Sequence, residues 1–351
     1  MRHSPHGPAF CSEGRCLRDI LFATGGTILV LATVTDVIWT SLGTHGGGPI
    51  SGQFTKLLWR VCLKIHRFKH HRLLSFAGSL IVMLLLMLWV AMLWAGWFCV
   101  FSTSRAAVVD SRTRQPASTL GRLYFTGYTL STMGNGDYQP STDRWRVLTA
   151  IASFNGLGTF TITITFMVNV LNAVVEKRRI ASYISDLGAT PDRIIALSWT
   201  GVQFDHLQEH LVELTGLLHT HTEHHLAYPV LHYFHSESTR TAATLRIAAL
   251  SELLVLLGKG VRQEAQLPPM VIEPLQKALE GFAEVVTREF IEPDDEPPPP
   301  PPLALLEAYG VPTVSDDSFR YGAGQMRDRR RAFSALVRDD GRKWDSLYRD
   351  Q

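Results

Sequence analysis

Charge is scarce in this sequence. Only 19% of the 351 residues are Asp, Glu, Lys or Arg, and their near balance leaves a net charge of +2. So small an excess does not speak for nucleic acid, and no basic stripe interleaved with aromatics runs through the chain to reverse that. The four cysteines, Cys11, Cys16, Cys62 and Cys99, fall at no metal-site spacing. Cys11 and Cys16 can pair if they lie in an oxidising compartment, and free thiols are the alternative. No strand-borne G-x-G-x-x-G announces a nucleotide domain and no H-E-x-x-H a metalloprotease, so nothing here points to an enzyme. No helix carries an arginine at every third residue, which excludes a voltage-sensing span.

What the chain has instead is long apolar runs, crowded before about residue 176, while the remainder reads as an ordinary charged helical chain. After a polar tail at 1–19, residues 20–42 are apolar and long enough to cross a hydrocarbon layer of about 30 Å at 1.5 Å per residue. The leader is long for a signal peptide and no clear cleavage site follows, so an uncleaved span is expected. Asp36 interrupts that span: it is either a functional acid or one placed to reach the interface. Residues 51–72 set Lys56, Arg60, Lys64, Arg67, Lys69 and Arg72 among apolar side chains at helical spacing. That pattern suits a helix on an anionic membrane surface, or a cationic flank orienting the next span. Residues 73–101 carry no formal charge and form the clearest span; 147–175 form another, closed by Glu176-Lys177-Arg178-Arg179. Between them, 119–130 is a short helix capped by Ser118 or Thr119. Twelve residues reach only about 18 Å, so the chain must turn back, and a non-helical return is tolerated only inside protein or beside water.

Directly after this half-span stands Thr132-Met133-Gly134-Asn135-Gly136-Asp137. With its helical flanks it resembles the Thr-Val-Gly-Tyr-Gly-Asp selectivity filter of two-span bacterial potassium channels, a likeness that covers residues 73–180. In such a filter backbone carbonyls replace the water around a cation, and glycines supply the backbone angles that aim them. The resemblance implies an all-α membrane protein: outer helix 73–101, pore helix 119–130, filter 132–137 and inner helix 147–175, with an extra N-terminal span and a helical cytoplasmic domain. It further implies K+ as the permeant ion, a filter and amino terminus outside the cell membrane and a cytoplasmic carboxyl half. One filter strand cannot close a ring and no second pore loop follows, so a homotetramer is expected. Met133 stands where the family has valine, and Asn135 where it has an aromatic that packs behind the filter. Some non-selective relatives carry a short polar residue there, so a non-selective Na+/K+ channel is the alternative. Gly156 and Gly158 are candidate bending points of the inner helix, or small residues for close packing. Thr159, Thr161, Thr163 and Thr165 are candidates to line its cavity.

The carboxyl half reads as helices at about 182–200, 203–220, 239–262, 270–290 and 327–348. Residues 181–291 form a His-rich domain, 292–302 with six consecutive prolines an extended linker, and 303–351 a charged helical tail. Arg327, Arg329, Arg330 and Arg331 are expected on a solvated face or against lipid head groups. Residues 247–257 are apolar but short and hold Glu252, so they form a buried soluble helix. Eight of the fourteen histidines fall between 206 and 235. The pairs His206/His210 and His221/His225 share helix faces at four-residue spacing, which can hold a divalent metal or titrate as a pH sensor. Histidines packing singly are the other reading. A membrane-anchored metal-binding sensor and a non-conducting channel-like subunit are the rival functions, and any cytoplasmic regulator stays unnamed.

Overall fold

A computed structural model describes residues 13–43, 46–66 and 72–349. Cys11, the side chain of Cys16 and the cations between 67 and 71 lie outside what it describes. The elements are α1 (Glu13–Leu42), α2 (Pro49–His66), α3 (Arg72–Ser102), β1 (Val108–Asp110), α4 (Thr119–Leu130), β2 (Tyr138–Pro140) and α5 (Asp143–Leu187), then α6 (Pro191–Ser198), α7 (Leu207–Ala227), α8 (Ala243–Val255), α9 (Pro269–Glu289), α10 (Ala304–Glu307), α11 (Asp316–Gly324) and α12 (Arg327–Asp339). Among the described residues three helices are long and apolar enough to cross a membrane, at Leu17–Leu42, Phe76–Ser102 and Asp143–Leu187. The chain is an all-α membrane protein whose only sheet among the described residues is the pairing of β1 with β2.

Two compact units result, the first built from the described residues of Met1–Gly43, Gly47–Phe54 and Val82–Met167. Within it, α1 and α3 cross where a glycine on each lets the backbones meet. A Cβ on Gly26 would lie 2.7 Å from the Gly96 carbonyl oxygen, and one on Gly96 would lie 3.1 Å from that of Gly26. Trp97, Phe101, Phe125 and Tyr128 fill the core, with the Phe101 and Phe125 rings edge to face at 5.1 Å. Asp36 does not reach for the interface; it is buried. Its carboxylate accepts from the amides of Ile50 and Ser51 at 2.9 and 3.2 Å, from the Ser51 hydroxyl, and from the Trp89 indole at 3.0 Å. Those amides open α2, where no intrahelical acceptor exists, so an acid on one helix caps another.

The second unit comprises the described residues of Thr44–Gly46, Thr55–Ile81 and Val168–Gln351. The inner helix runs past its expected end to Leu187, because no helix breaker occurs before Gly188 (φ +148°) and Ala189 (φ +64°) turn the chain. The same break splits the expected 182–200 helix, leaving α6 to start on Pro191. The helix expected from 203 starts only at Leu207, since His206 sits at φ +56°. That expected over 239–262 is α8 followed by a single π turn to Gly260.

α8 is buried all round, Glu252 included. A buried carboxylate must be paired, and Arg330 of α12 supplies the fork: Nε and Nη2 donate to the two Glu252 oxygens at 2.8 and 2.9 Å. This corrects two expectations. Residues 303–351 are no separate tail, for Phe333, Leu336 and Leu347 share one core with Ile184, Leu250 and Phe282. Nor do Arg329 and Arg330 face solvent or lipid, since both are buried. The proline run is extended but is no free spacer: Arg330 Nη2 donates to the Pro299 carbonyl at 2.6 Å and Arg331 Nε to that of Asp294 at 2.5 Å.

Candidate functional site

The residues around Thr132–Asp137 are positioned by the helix before them. α4 starts on Ser118, whose hydroxyl accepts from the Gly121 amide at 3.0 Å. Its two glycines are contact points. A Cβ on Gly121 would meet the Tyr138 ring at 2.8 Å, and one on Gly127 the Trp94 ring at 2.6 Å. The helix therefore lies tight against α3 and against the strand that returns from the loop. At its carboxyl end the amides of Thr132 and Met133 fold back onto the carbonyls of Thr129 and Tyr128 at 3.1 and 2.9 Å. Helix carbonyls ending there place partial negative charge beside the loop.

Beyond that point the backbone alternates. Thr132, Gly134 and Gly136 have φ of +58°, +61° and +82°, while Met133 and Asn135 between them do not enter the positive region. Alternation of left- and right-handed residues turns successive peptide planes so that main-chain oxygens can be directed to one side. Gly134 has no atom within 4 Å of where a Cβ would stand, so conformation rather than space makes it a glycine. Every residue from Ser131 to Asp137 is exposed, as is the Met133 side chain.

What braces this open loop was not legible from the motif. Tyr124, nearly two turns before the end of α4, accepts from the Asn135 side-chain amide at 2.6 Å through its hydroxyl and donates to the Asp137 carboxylate at 3.1 Å. One phenol thus ties the loop's middle and end to the helix behind it. Tyr128 adds a second tie, its hydroxyl donating to the Tyr138 carbonyl at 2.5 Å. The two rings pack edge to face at 5.2 Å. Outside the loop, Asp137 O accepts from the Ser111 amide at 2.9 Å, and β2 pairs antiparallel with β1 in the register Val109 to Gln139. Asp110 shapes that outer turn by accepting from the amides of Thr113 and Arg112, bonds that hold its carboxyl below the usual range. The available signal was a pair of tyrosines at four-residue spacing on the pore helix, 124 and 128.

α5 runs alongside. Thr159 and Thr163 are buried, whereas Thr161 and Thr165 are exposed and return their hydroxyls to the carbonyls of Leu157 and Thr161 at 2.9 and 3.0 Å. Self-satisfied hydroxyls are the form in which threonine is tolerated in an apolar layer. Gly156 lies against the Leu130 carbonyl that ends α4, and Gly158 faces open space.

The histidines do not converge. His206 is exposed beside Asp205, 3.5 Å away, and the His210 ring meets the Tyr183 hydroxyl at 2.8 Å. His221 and His225 are buried edge to face at 4.5 Å, both against Phe282. Among the described residues no group of three or more His, Cys, Asp or Glu is arranged to hold a metal. Burial, helped by Lys177 and neighbouring rings, pushes His221 and His225 well below 6.5. His232 is lowered too, by burial, against the pull of Asp339, with which its Nε2 makes a 3.0 Å bond. A depressed basic group binds its proton in the unfolded chain first. Stability from these three rings is therefore intact above about pH 6.5 and falls as pH drops from there toward the folded values. Thermal melts at successive pH values are expected to show the second unit losing midpoint below pH 6.5, with His221→Phe flattening the slope; a melt independent of pH would refute it.

A family model described as an ion channel matches residues 82–173, which takes in most of α3, all of α4, the loop and the first part of α5. Over 324 residues the chain is 30% identical to the uncharacterized membrane protein YdjJ of Bacillus subtilis strain 168, covering 92% of this chain and 95% of that protein. No solved structure gives a significant match.

Proposed function

We propose that four copies of this chain, which carries an ion channel family domain at residues 82–173, form a cation channel that passes K+ through main-chain oxygens of Thr132–Asp137. The observation that carries this reading is the alternating backbone at 132, 134 and 136, set at the carboxyl end of a half-length helix. A single loop exposed along its whole length needs symmetry mates to surround an ion, and a fourfold ring is the closure a one-loop chain permits. The preference for K+ rests on the brace: Asn135 lacks a ring to pack behind the filter, but Tyr124 reaches it from the helix and limits how far the loop can spread. Non-selective Na+/K+ passage is the second reading, favoured by the short polar side chain at Asn135 itself. The amino terminus and filter are placed outside and the carboxyl half in the cytoplasm, where α2 would lie on anionic lipid head groups.

Purified protein in a planar bilayer is expected to carry a cation current whose reversal potential in mixed K+ and Na+ favours K+. Absence of current would support the non-conducting reading, and equal permeability the non-selective one. Tyr124→Phe removes both loop ties while keeping the ring. At about 1 kcal/mol for the net worth of such bonds, the K+ over Na+ permeability ratio is expected to fall about five- to tenfold, with current retained. An unchanged ratio would remove the brace from the account of selectivity.

A further inference from the structure

Arg329 is a buried guanidinium that nothing in the fold satisfies. Its side chain is 3% exposed, and Nε, Nη1 and Nη2 have no hydrogen-bond partner. The nearest acid, Glu280, approaches only to 3.9 Å and is itself 57% exposed. The contrast with its neighbour is direct, since Arg330 is forked onto Glu252 at 2.8 Å. A planar group with five N–H donors, left without acceptors in the interior, costs several kcal/mol unless something else accepts from it. Burial draws its pKa down to about 10, so it remains a cation at neutral pH.

This guanidinium lines a cavity of about 320 Å³ between α9 and α12, closed on one side by Pro293 at the start of the proline strap. That volume falls at the lower end of small-molecule sites. The mouth is lined by exposed carboxylates, Glu280 and Glu284 from α9 and Asp328 from α12. Arg331, the other cation there, is already committed to the Asp294 carbonyl and lies 3.5 Å from Asp328. The arrangement thus has a fork for one oxyanion at its base and an acidic rim. A multiply charged phosphate would be repelled at that rim, and a plain carboxylate would leave the acids without a partner. We infer that the cavity binds a small zwitterion, its carboxylate held by Arg329 and its ammonium group by the Glu280, Glu284 and Asp328 rim, the chemistry of a free α-amino acid.

Binding is independent of conduction, and its test reads stability alone. Full-length protein in detergent is melted with pools of the common α-amino acids, and separately with acetate, methylamine and inorganic phosphate. At least one pool is expected to raise the midpoint by several degrees through ligand linkage, with acetate, methylamine and phosphate each giving little. Arg329→Met should abolish that shift while leaving the ligand-free midpoint equal or higher, because it removes an unpaired buried charge. Arg329→Lys, which keeps the charge but not the fork, should weaken binding at least tenfold. The proposal is overturned if no pool shifts the midpoint, if the shift survives in Arg329→Met, or if phosphate shifts it as much as any pool. A markedly lower ligand-free midpoint for Arg329→Met would also overturn it, since the arginine would then be partnered within the fold.

Discussion

Gly156→Ala is expected to abolish conduction, and Gly158→Ala, two residues on, to conduct normally. The added methyl at 156 would be driven into the Leu130 carbonyl oxygen, with the Leu130 C and Cα atoms only 2.7 Å away. These are backbone atoms of the last residue of α4, so no side chain can swing aside. Relief requires α4 and α5 to part, and Leu130 stands two residues before Thr132, so the displacement passes straight into the 132–137 loop. At 158 a Cβ meets nothing within 4 Å, and replacing glycine inside a helix gains about 1 kcal/mol of propensity. The sequence offered both glycines as bends or as packing positions; the contacts assign Gly156 to packing. Single-channel recording of each variant, with size-exclusion chromatography to confirm assembly, is the check. A Gly156→Ala protein with unaltered current and ion preference would show that the contact does not hold the 132–137 loop.

Glu252→Ala is expected to unfold the second unit or bring it close to unfolding. It leaves Arg330, 3% exposed, with the Pro299 carbonyl as its remaining acceptor among the bonds described. Removing one partner of a buried pair costs about 3–5 kcal/mol, a large part of the roughly 5–15 kcal/mol that a domain has. The double replacement Glu252→Met with Arg330→Met is expected to recover most of that loss, since two apolar chains of similar volume need no partner. Denaturation followed by circular dichroism measures both. Equal stability of Glu252→Ala and wild type would mean that the pair contributes nothing, and the burial of α8 would need another explanation.

Much of the membrane unit was legible from residues alone because its signals are local. A charge-free run, a half-length helix with a serine cap and a Thr-x-Gly-x-Gly sequence each declare themselves within a few residues. The brace was not legible, for Tyr124 and Asn135 meet only once the chain has turned back, and nothing in a one-dimensional pattern ties a phenol to an amide eleven positions on. The carboxyl-terminal unit misled the reading for a related reason. Four arginines near the start of a helix imply a wet face, and only the presence of Glu252, 78 residues earlier, makes one of them an interior residue. Proline runs imply separation, whereas this one lies along the body whose parts it was expected to divide. The histidine spacing was real, yet spacing sets which side chains share a face and not whether that face meets water.

The Asp36 junction has a consequence for dissecting the protein. A piece beginning at the outer helix would keep Trp89 but lose both acceptors of its indole N–H, the Asp36 carboxylate and the Ser51 hydroxyl at 3.1 Å. The orphaned donor would then face hydrocarbon, within 5.8 Å of Phe166 on the inner helix. The minimal excisable pore therefore starts at the first span, unless Trp89 is exchanged for a residue that has no hydrogen to give.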